Sequence, residues 1–439
     1  MNKQLFETLD EQTIYRVPTQ AQPMSGTVSV PGSKSITNRV LLMAALSKGE
    51  SHLSGVLFSD DSRHFLSSLE ALGFEVKIDE PAKEVTLQGL AGKIPKKNAT
   101  INVGSAGTAA RFLTAMLALS DGEHTILCSD QMKKRPMKPL FDALISVGAQ
   151  FEYLEKEHFL PVKVIGNKGI CKAVTMDITK STQFLSALLM VAPMTNSGMT
   201  IEITSDKKGG SYIDITRHMM QQFGVATDFD GTTYKVSNSS HYMVGSYPIE
   251  PDMSAACYFY AMAALTGGVI TVKGVEADLI QGDIRFLDVL KMLGCKITPS
   301  PEGIQVTGPK DGSYPGITVD MNNFSDQTMT LSALAAFATS PTTIKNVAHI
   351  RVQECDRMQA IVNNLTKAGI SCVSDGQQIK IIPGQVQGTL INTYDDHRMA
   401  MAFTLLGLKT EGILIENPAC CKKTFENYFE VLETLLANK

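Results

Sequence analysis

SITNRVLLMAAL, residues 35–46, is an apolar helical run that opens on a small polar residue. Five more runs share its form: TAARFLTAMLAL from Thr108, STQFLSALLMVA from Ser181, SAACYFYAMAAL from Ser254, SDQTMTLSALAAF from Ser325 and DDHRMAMAFTLL from Asp395. Their starts are spaced by 73 residues three times, then by 71 and by 70. Each opening residue is of the N-cap type, so the spacing predicts six capped helices, one in each of six repeats.

A second series runs in step with the first. LEALGFEVKI, LISVGAQFEY, MQQFGVATDF, VLKMLGCKI and LTKAGISCV each read as a helix ending at a glycine and passing into a strand. Gly73, Gly148, Gly224, Gly294 and Gly369 are therefore expected in the left-handed conformation that stops a helix, with half-buried strands beyond them. A unit of this size, with two helices and several strands, is longer than a solenoid repeat and fits a compact α/β subdomain. Six units divide as three plus three. One lobe is expected over 25–241 and the other over 1–24 with 242–439. The turn-rich PTQAQP at 18–23 and the polar Ser239-Ser240-His241 mark the crossings.

Composition narrows the function classes. Hydrophobic residues make up 44% of the 439 and charged residues 19%, which excludes a disordered chain. Forty basic against 44 acidic residues argue against nucleic-acid binding. The first twenty residues contain no apolar signal-peptide core. The longest apolar stretch, Ala255 to Val272, is interrupted by Thr266-Gly267-Gly268 and is too broken to span a membrane. A soluble cytoplasmic protein is expected. The eight cysteines form no CxxC pair and the eight histidines no HxH or HExxH pattern, so neither disulfides nor a metal site is expected.

The helix starts carry the chemistry. A helix N-terminus presents free N–H groups and about half a positive charge, and so attracts phosphate or carboxylate. PGSKSITNR adds Lys34, Ser35 and Arg39 there, and VGSAGTAAR adds Gly107, Thr108 and Arg111. Further cations are Arg135, Arg351, Arg357, Arg398, Lys422 and Lys423. Any one of them alone reads as a solvated surface charge; together they point to several anionic groups bound at once. Two acids stand among them. Asp326 reads as a first-turn acid or a buried carboxylate, and Glu354, between two arginines, reads when taken alone as a surface ion pair. Gly32-Ser33-Lys34-Ser35 lacks the glycine a P-loop needs before its lysine, and neither GxGxxG nor GxSxG occurs.

PGSKSITNR, GSAGTAARFLTA, KRPM, STQFLSALLM, SYIDIT, SDQTMT, RVQECDR, YDDHRMAMAF and KKTFENYFE follow one another almost end to end. In these segments the chain resembles the enolpyruvyl transferase family, in the branch that acts on shikimate 3-phosphate. The resemblance implies a two-domain inside-out α/β barrel of six βαβαββ repeats, three per domain, closing on its substrates. It implies transfer of the carboxyvinyl group of phosphoenolpyruvate to the 5-hydroxyl of shikimate 3-phosphate, by a monomer without cofactor or metal. Lys34, Ser35, Arg39, Ser181, Thr182, Gln183, Asp326 and Gln353 would hold shikimate 3-phosphate. Lys34, Gly107, Arg135, Gln183, Arg357, Arg398 and Lys423 would hold phosphoenolpyruvate, the site that glyphosate occupies in this family. Asp326, Glu354 and Lys34 would be catalytic, Asp326 handling the hydroxyl proton and Glu354 the carbon proton. The chain departs from the family at Ser105 and His349, where asparagine is usual, at Gln353, where lysine is usual, and at Phe112, where proline is usual. Thr182 and Gly209 each replace a serine. The relative acting on a UDP-sugar places a reactive cysteine five residues before its Arg-Pro; here that position is Asp130, and Cys128 lies seven before Arg135.

Overall fold

The computed structural model describes residues 6–9, 12–171, 173–237 and 241–437. Ser239 and Ser240, at the expected crossing, and the first five residues of the 1–24 segment lie outside the described residues. The chain divides into two compact units: Gly32–Glu250, and the segment up to Pro31 with everything from Pro251.

Among the described residues the strands form six four-stranded sheets, three in each unit, all of one topology. In one of them Asn98–Asn102 pairs in parallel with Glu123–Leu127. That strand pairs antiparallel with Val162–Ile165, which pairs antiparallel with Gln150–Tyr153. The helices Gly107–Ala118 and Lys138–Ser146 fill the crossovers, giving βαβαββ. The parallel pair requires the helical crossover, whereas the antiparallel strands close on short turns.

Three sheets draw a strand from far along the chain. Ser246–Pro248 pairs with Lys48–Ser54 in the first unit, and Ser25–Val28 pairs with Val269–Val272 in the second. Residues 25–28, read from the sequence as the beginning of the first lobe, are thus a strand of the other unit. The hairpin Phe6–Leu9 and Gln12–Arg16 completes the sheet of Leu414–Glu416 and Leu390–Ile391, so the start of the chain finishes its last repeat.

The first helix of each repeat forms the core. Every residue of Gly107–Ala118 and of Met253–Thr266 is buried, which is why these runs are apolar all round rather than striped. The five helix-stop glycines have φ between +81° and +99°. A side chain there would strain the backbone, so glycine ends the helix and turns the chain into the strand.

The expected caps are corrected by one or more residues. The cap positions are Ser33, Ala106, Thr182, Asp252 and Asp396 rather than Ser35, Thr108, Ser181, Ser254 and Asp395. Ser325 opens the single 3-10 turn Ser325–Gln327, which leads into Thr328–Ala335. Among the described residues no helix is long and apolar enough to cross a membrane.

Candidate active site

In the first unit, Lys34–Leu46, Gly107–Ala118 and Gln183–Val191 are joined near their N-termini. Asn38 Nδ2 donates to Thr108 Oγ1 at 2.5 Å and Arg39 Nη2 to Ser186 Oγ at 3.4 Å. None of the three has an acid in its first turn, and the cap residues make no side-chain cap bond. Their first turns therefore carry no acidic side chain to offset the positive helix ends. Ser181 Oγ accepts from the Gln183 N–H at 3.2 Å, and Gln183 Oε1 is buried with no hydrogen-bond partner among the described residues.

Arg39 is 1% exposed. It donates to Thr216 Oγ1 at 2.8 Å, to the Ser35 carbonyl at 2.9 Å and to the Tyr212 carbonyl at 3.2 Å. Burial lowers its pKa to about 10, so it stays cationic at neutral pH. Its partners are all neutral oxygens, and its guanidinium lies 5.3 Å from the centroid of the Phe112 ring. Phe112, where the family has proline, thus supplies an aromatic face to a buried cation.

Lys34 Nζ stands 3.4 Å from Asp61 Oδ2. A Cβ on Gly107 would lie 2.6 Å from Arg135 Nη1 and 2.7 Å from Arg111 Nη1. With no Cβ at Gly107 both guanidinium groups lie close against this helix start, and a side chain there would make them shift. Arg111 braces the place by donating to the carbonyls of Gly107 at 3.1 Å and Pro136 at 3.2 Å.

The second unit gathers the acids. Arg357 is 1% exposed and spends all five of its N–H groups on protein partners. Nε and Nη2 grip Asp396 at 2.7 and 3.2 Å, Nη1 reaches Asp326 at 2.9 Å and Gln353, and Nη2 reaches Glu354 at 3.0 Å. Burial pulls the Arg357 pKa down, but Asp396, Glu354 and Asp326 outweigh it and hold the group above its ordinary value. Asp326 is gripped from its other oxygen by Arg398 at 2.9 Å, and Glu354 from its other oxygen by Lys423 at 3.9 Å. Each acid thus lies between two cations.

Asp396 was not singled out in the sequence. It is fully buried, holds Arg357 with both oxygens and caps the helix His397–Lys409 by accepting from the Arg398 N–H at 2.9 Å. The DDHR run contained it, but the carboxylates look alike until Arg357 is seen against one of them. Asp283 was also missed; its Oδ2 accepts from Ser254 Oγ at 2.5 Å and from Gln327 Nε2 at 2.7 Å.

Of the departures, Gln353 accepts from Arg357, and His349 Nε2 lies 2.8 Å from Ser325 Oγ, beside Asp326. Lys208, near Gly209, donates to the Ile203 carbonyl at 2.7 Å. Arg351 lies outside the cluster, exposed and paired with Asp356 at 3.1 Å. Lys422 is exposed and lines a separate cleft with Tyr394 and Asp395.

Comparison with known proteins gives a concordant picture. The profile of the EPSP synthase family, 3-phosphoshikimate 1-carboxyvinyltransferase, matches residues 18–432. The 3-phosphoshikimate 1-carboxyvinyltransferase of Trichormus variabilis is 40% identical over 414 residues, covering 94% of this chain and 97% of that protein. The Yersinia pestis protein of the same name is 40% identical over 414 residues, covering 93% and 95%. Among solved structures, EPSP synthase from Acinetobacter baumannii superposes with a TM-score of 0.79 at 23% identity, over 97% of this chain and 98% of that one. The enolpyruvyl transferase NikO from Streptomyces tendae gives a TM-score of 0.74 at 16% identity, over 95% and 96%. At these identities the structures speak for the fold alone.

Proposed function

The chain belongs to the EPSP synthase family, and from that premise we propose how its residues share the reaction. The enzyme transfers the carboxyvinyl group of phosphoenolpyruvate to the 5-hydroxyl of shikimate 3-phosphate and releases phosphate. Lys34, Ser35, Arg39, Ser181, Thr182 and Gln183, with Asp326 and Gln353, bind shikimate 3-phosphate. Gly107, Arg135, Gln183, Arg357, Arg398 and Lys423 bind phosphoenolpyruvate, and Lys34 serves both substrates. Asp326 takes the proton of the attacking hydroxyl as its oxygen bonds to C2 of phosphoenolpyruvate. Glu354 delivers a proton to C3, giving a methyl group, and takes one back as the C2–phosphate bond breaks. Such transfers contribute ~10²–10⁴-fold each. Arg357 reaches phosphoenolpyruvate by exchanging one of its present bonds. The reading places this work in a cytoplasmic monomer, consistent with substrates that are all small anions.

The observation that carries the reading is the pair of acids, Asp326 and Glu354, joined by Arg357 and each held by a second cation. The phosphoenolpyruvate assignment is tested at Gly107. Alanine there puts a methyl group within 3 Å of the Arg135 guanidinium, and overpacking of this kind costs ~1–3 kcal/mol. Gly107→Ala should raise KM for phosphoenolpyruvate about tenfold and weaken competitive inhibition by glyphosate. Steady-state kinetics with phosphoenolpyruvate varied measure both; unchanged values would remove Gly107 and Arg135 from this site.

A further inference from the structure

Asp61, Arg135, Asp283 and Arg357 stand in one register. Residues 61 and 135 are 74 apart, 283 and 357 are 74 apart, and 135 and 283 are separated by twice that. Each lies at, or just ahead of, the second helix of its repeat and reaches back to the first. Asp61 meets Lys34, Arg135 lies against Gly107, and Arg357 holds Asp326. Asp283 occupies the fourth position and meets Ser254. In the other three repeats of this register the residue either carries a substrate or proton role or touches one that does.

Asp283 is 6% exposed, and its Oδ2 accepts from two donors on different elements. One is Ser254, in the first turn of Met253–Thr266. The other is Gln327, fully buried, whose own Oε1 accepts from Thr330 Oγ1 at 2.9 Å. Gln327 directly follows Asp326 in the turn Ser325–Gln327. A single carboxylate oxygen thus ties a central helix start to the turn that presents Asp326.

We propose that Asp283 is a positioning residue for proton transfer at Asp326, fixing the Ser325–Gln327 turn through Gln327 and strengthening Asp326 as a base by its negative charge. The proposal rests on the role assigned to Asp326 above. The cluster brings the carboxyl groups of Asp283, Asp326, Glu354 and Asp396 together with Arg357, Arg398 and Lys423, and His397 Nδ1 lies 3.7 Å from Asp396. Asp283 is bonded by the neutral donors Ser254 and Gln327. Burial and then Asp326 push its pKa up to about 6, opposed by Arg398 and by the Ser254 and Gln327 donors. Among the described residues, the ionisable groups acting on it include Asp326, Arg398 and Cys257, whose thiol burial keeps neutral. Above this pH the Asp283 charge repels that of Asp326 and raises its proton affinity; below it the repulsion is gone.

The test is kcat from pH 5 to 8.5 at saturating substrates for wild type, Asp283→Asn and Ser254→Ala. The ratio of wild-type to variant kcat cancels titration of the substrates' own phosphates. For Asp283→Asn, nearly isosteric and still able to accept both bonds, the ratio should rise from near one at pH 5 to about three- to tenfold at pH 8, with its midpoint near pH 6. Ser254→Ala keeps the carboxyl but removes one donor, so it should resemble Asp283→Asn near pH 6 and wild type near pH 8.5. A ratio independent of pH in either variant overturns the proposal, and Ser254→Ala decides alone if Asp283→Asn does not fold. Asp326→Asn separates the two layers. Full turnover there removes Asp326 and this proposal together, whereas lost turnover with a flat ratio removes only the proposal.

Discussion

Replacing Glu354 by glutamine is expected to lower kcat by ~10²–10⁴-fold while leaving shikimate 3-phosphate affinity within about threefold. Glutamine keeps the shape and one acceptor for Arg357 Nη2, so the bonding that organises the cluster survives. It cannot pass a proton to C3 of phosphoenolpyruvate or take one back, so both addition and elimination fail. Calorimetry and turnover on one preparation separate the two effects. Near-normal turnover would show that the carbon proton travels by another group.

The second large effect is on stability. Arg357→Met removes the one cation shared by Asp326, Glu354 and Asp396, all buried or nearly so. Asp396 has both oxygens on that guanidinium and is fully buried, so it loses its main charge partner and keeps the Arg398 N–H, with His397 Nδ1 3.7 Å away. Breaking a buried pair from one side costs about 3–5 kcal/mol, or roughly 10 °C in melting temperature for a domain of this size. The sign of the pH dependence follows. Stranded carboxylates bind protons more readily in the folded than in the unfolded chain, so acidification from pH 8 towards 5 should narrow the gap to wild type. Melting curves across that range measure it. A deficit below about 1 kcal/mol at pH 8 would mean that Arg357 does not hold the cluster together.

The repeat was legible because its signals are local. An apolar run with a polar start and a glycine after the last helical turn reflect constraints that act within a few residues. The register of 61, 135, 283 and 357 was equally present in the numbering, but it alternates acid and base, and a search for like residues passes over it. Long-range pairing was not legible. Nothing in Phe6–Arg16 announces that it completes a sheet with residues near 390 and 415, because that pairing is decided by which sheet edge is free at the end of the last repeat. The cap positions slipped for a similar reason. Ser35 and Thr108 are small and polar, but they lie within their helices, where Thr108 meets Asn38 and the Ser35 carbonyl meets Arg39. Arg357 was read as a substrate cation; that its donors are all engaged by the protein emerges only when Asp396, 39 residues away, is seen against it.

The basic helix starts around Lys34, Arg39 and Arg135 and the acids around Arg357 are proposed to carry carboxyvinyl transfer to shikimate 3-phosphate. Phosphate release measured after mixing the enzyme with phosphoenolpyruvate and shikimate 3-phosphate, beside an identical reaction containing UDP-N-acetylglucosamine, tests it most directly. The account predicts one phosphate per shikimate 3-phosphate consumed, and none with the UDP-sugar. Release with the UDP-sugar alone, or none with shikimate 3-phosphate, would contradict it.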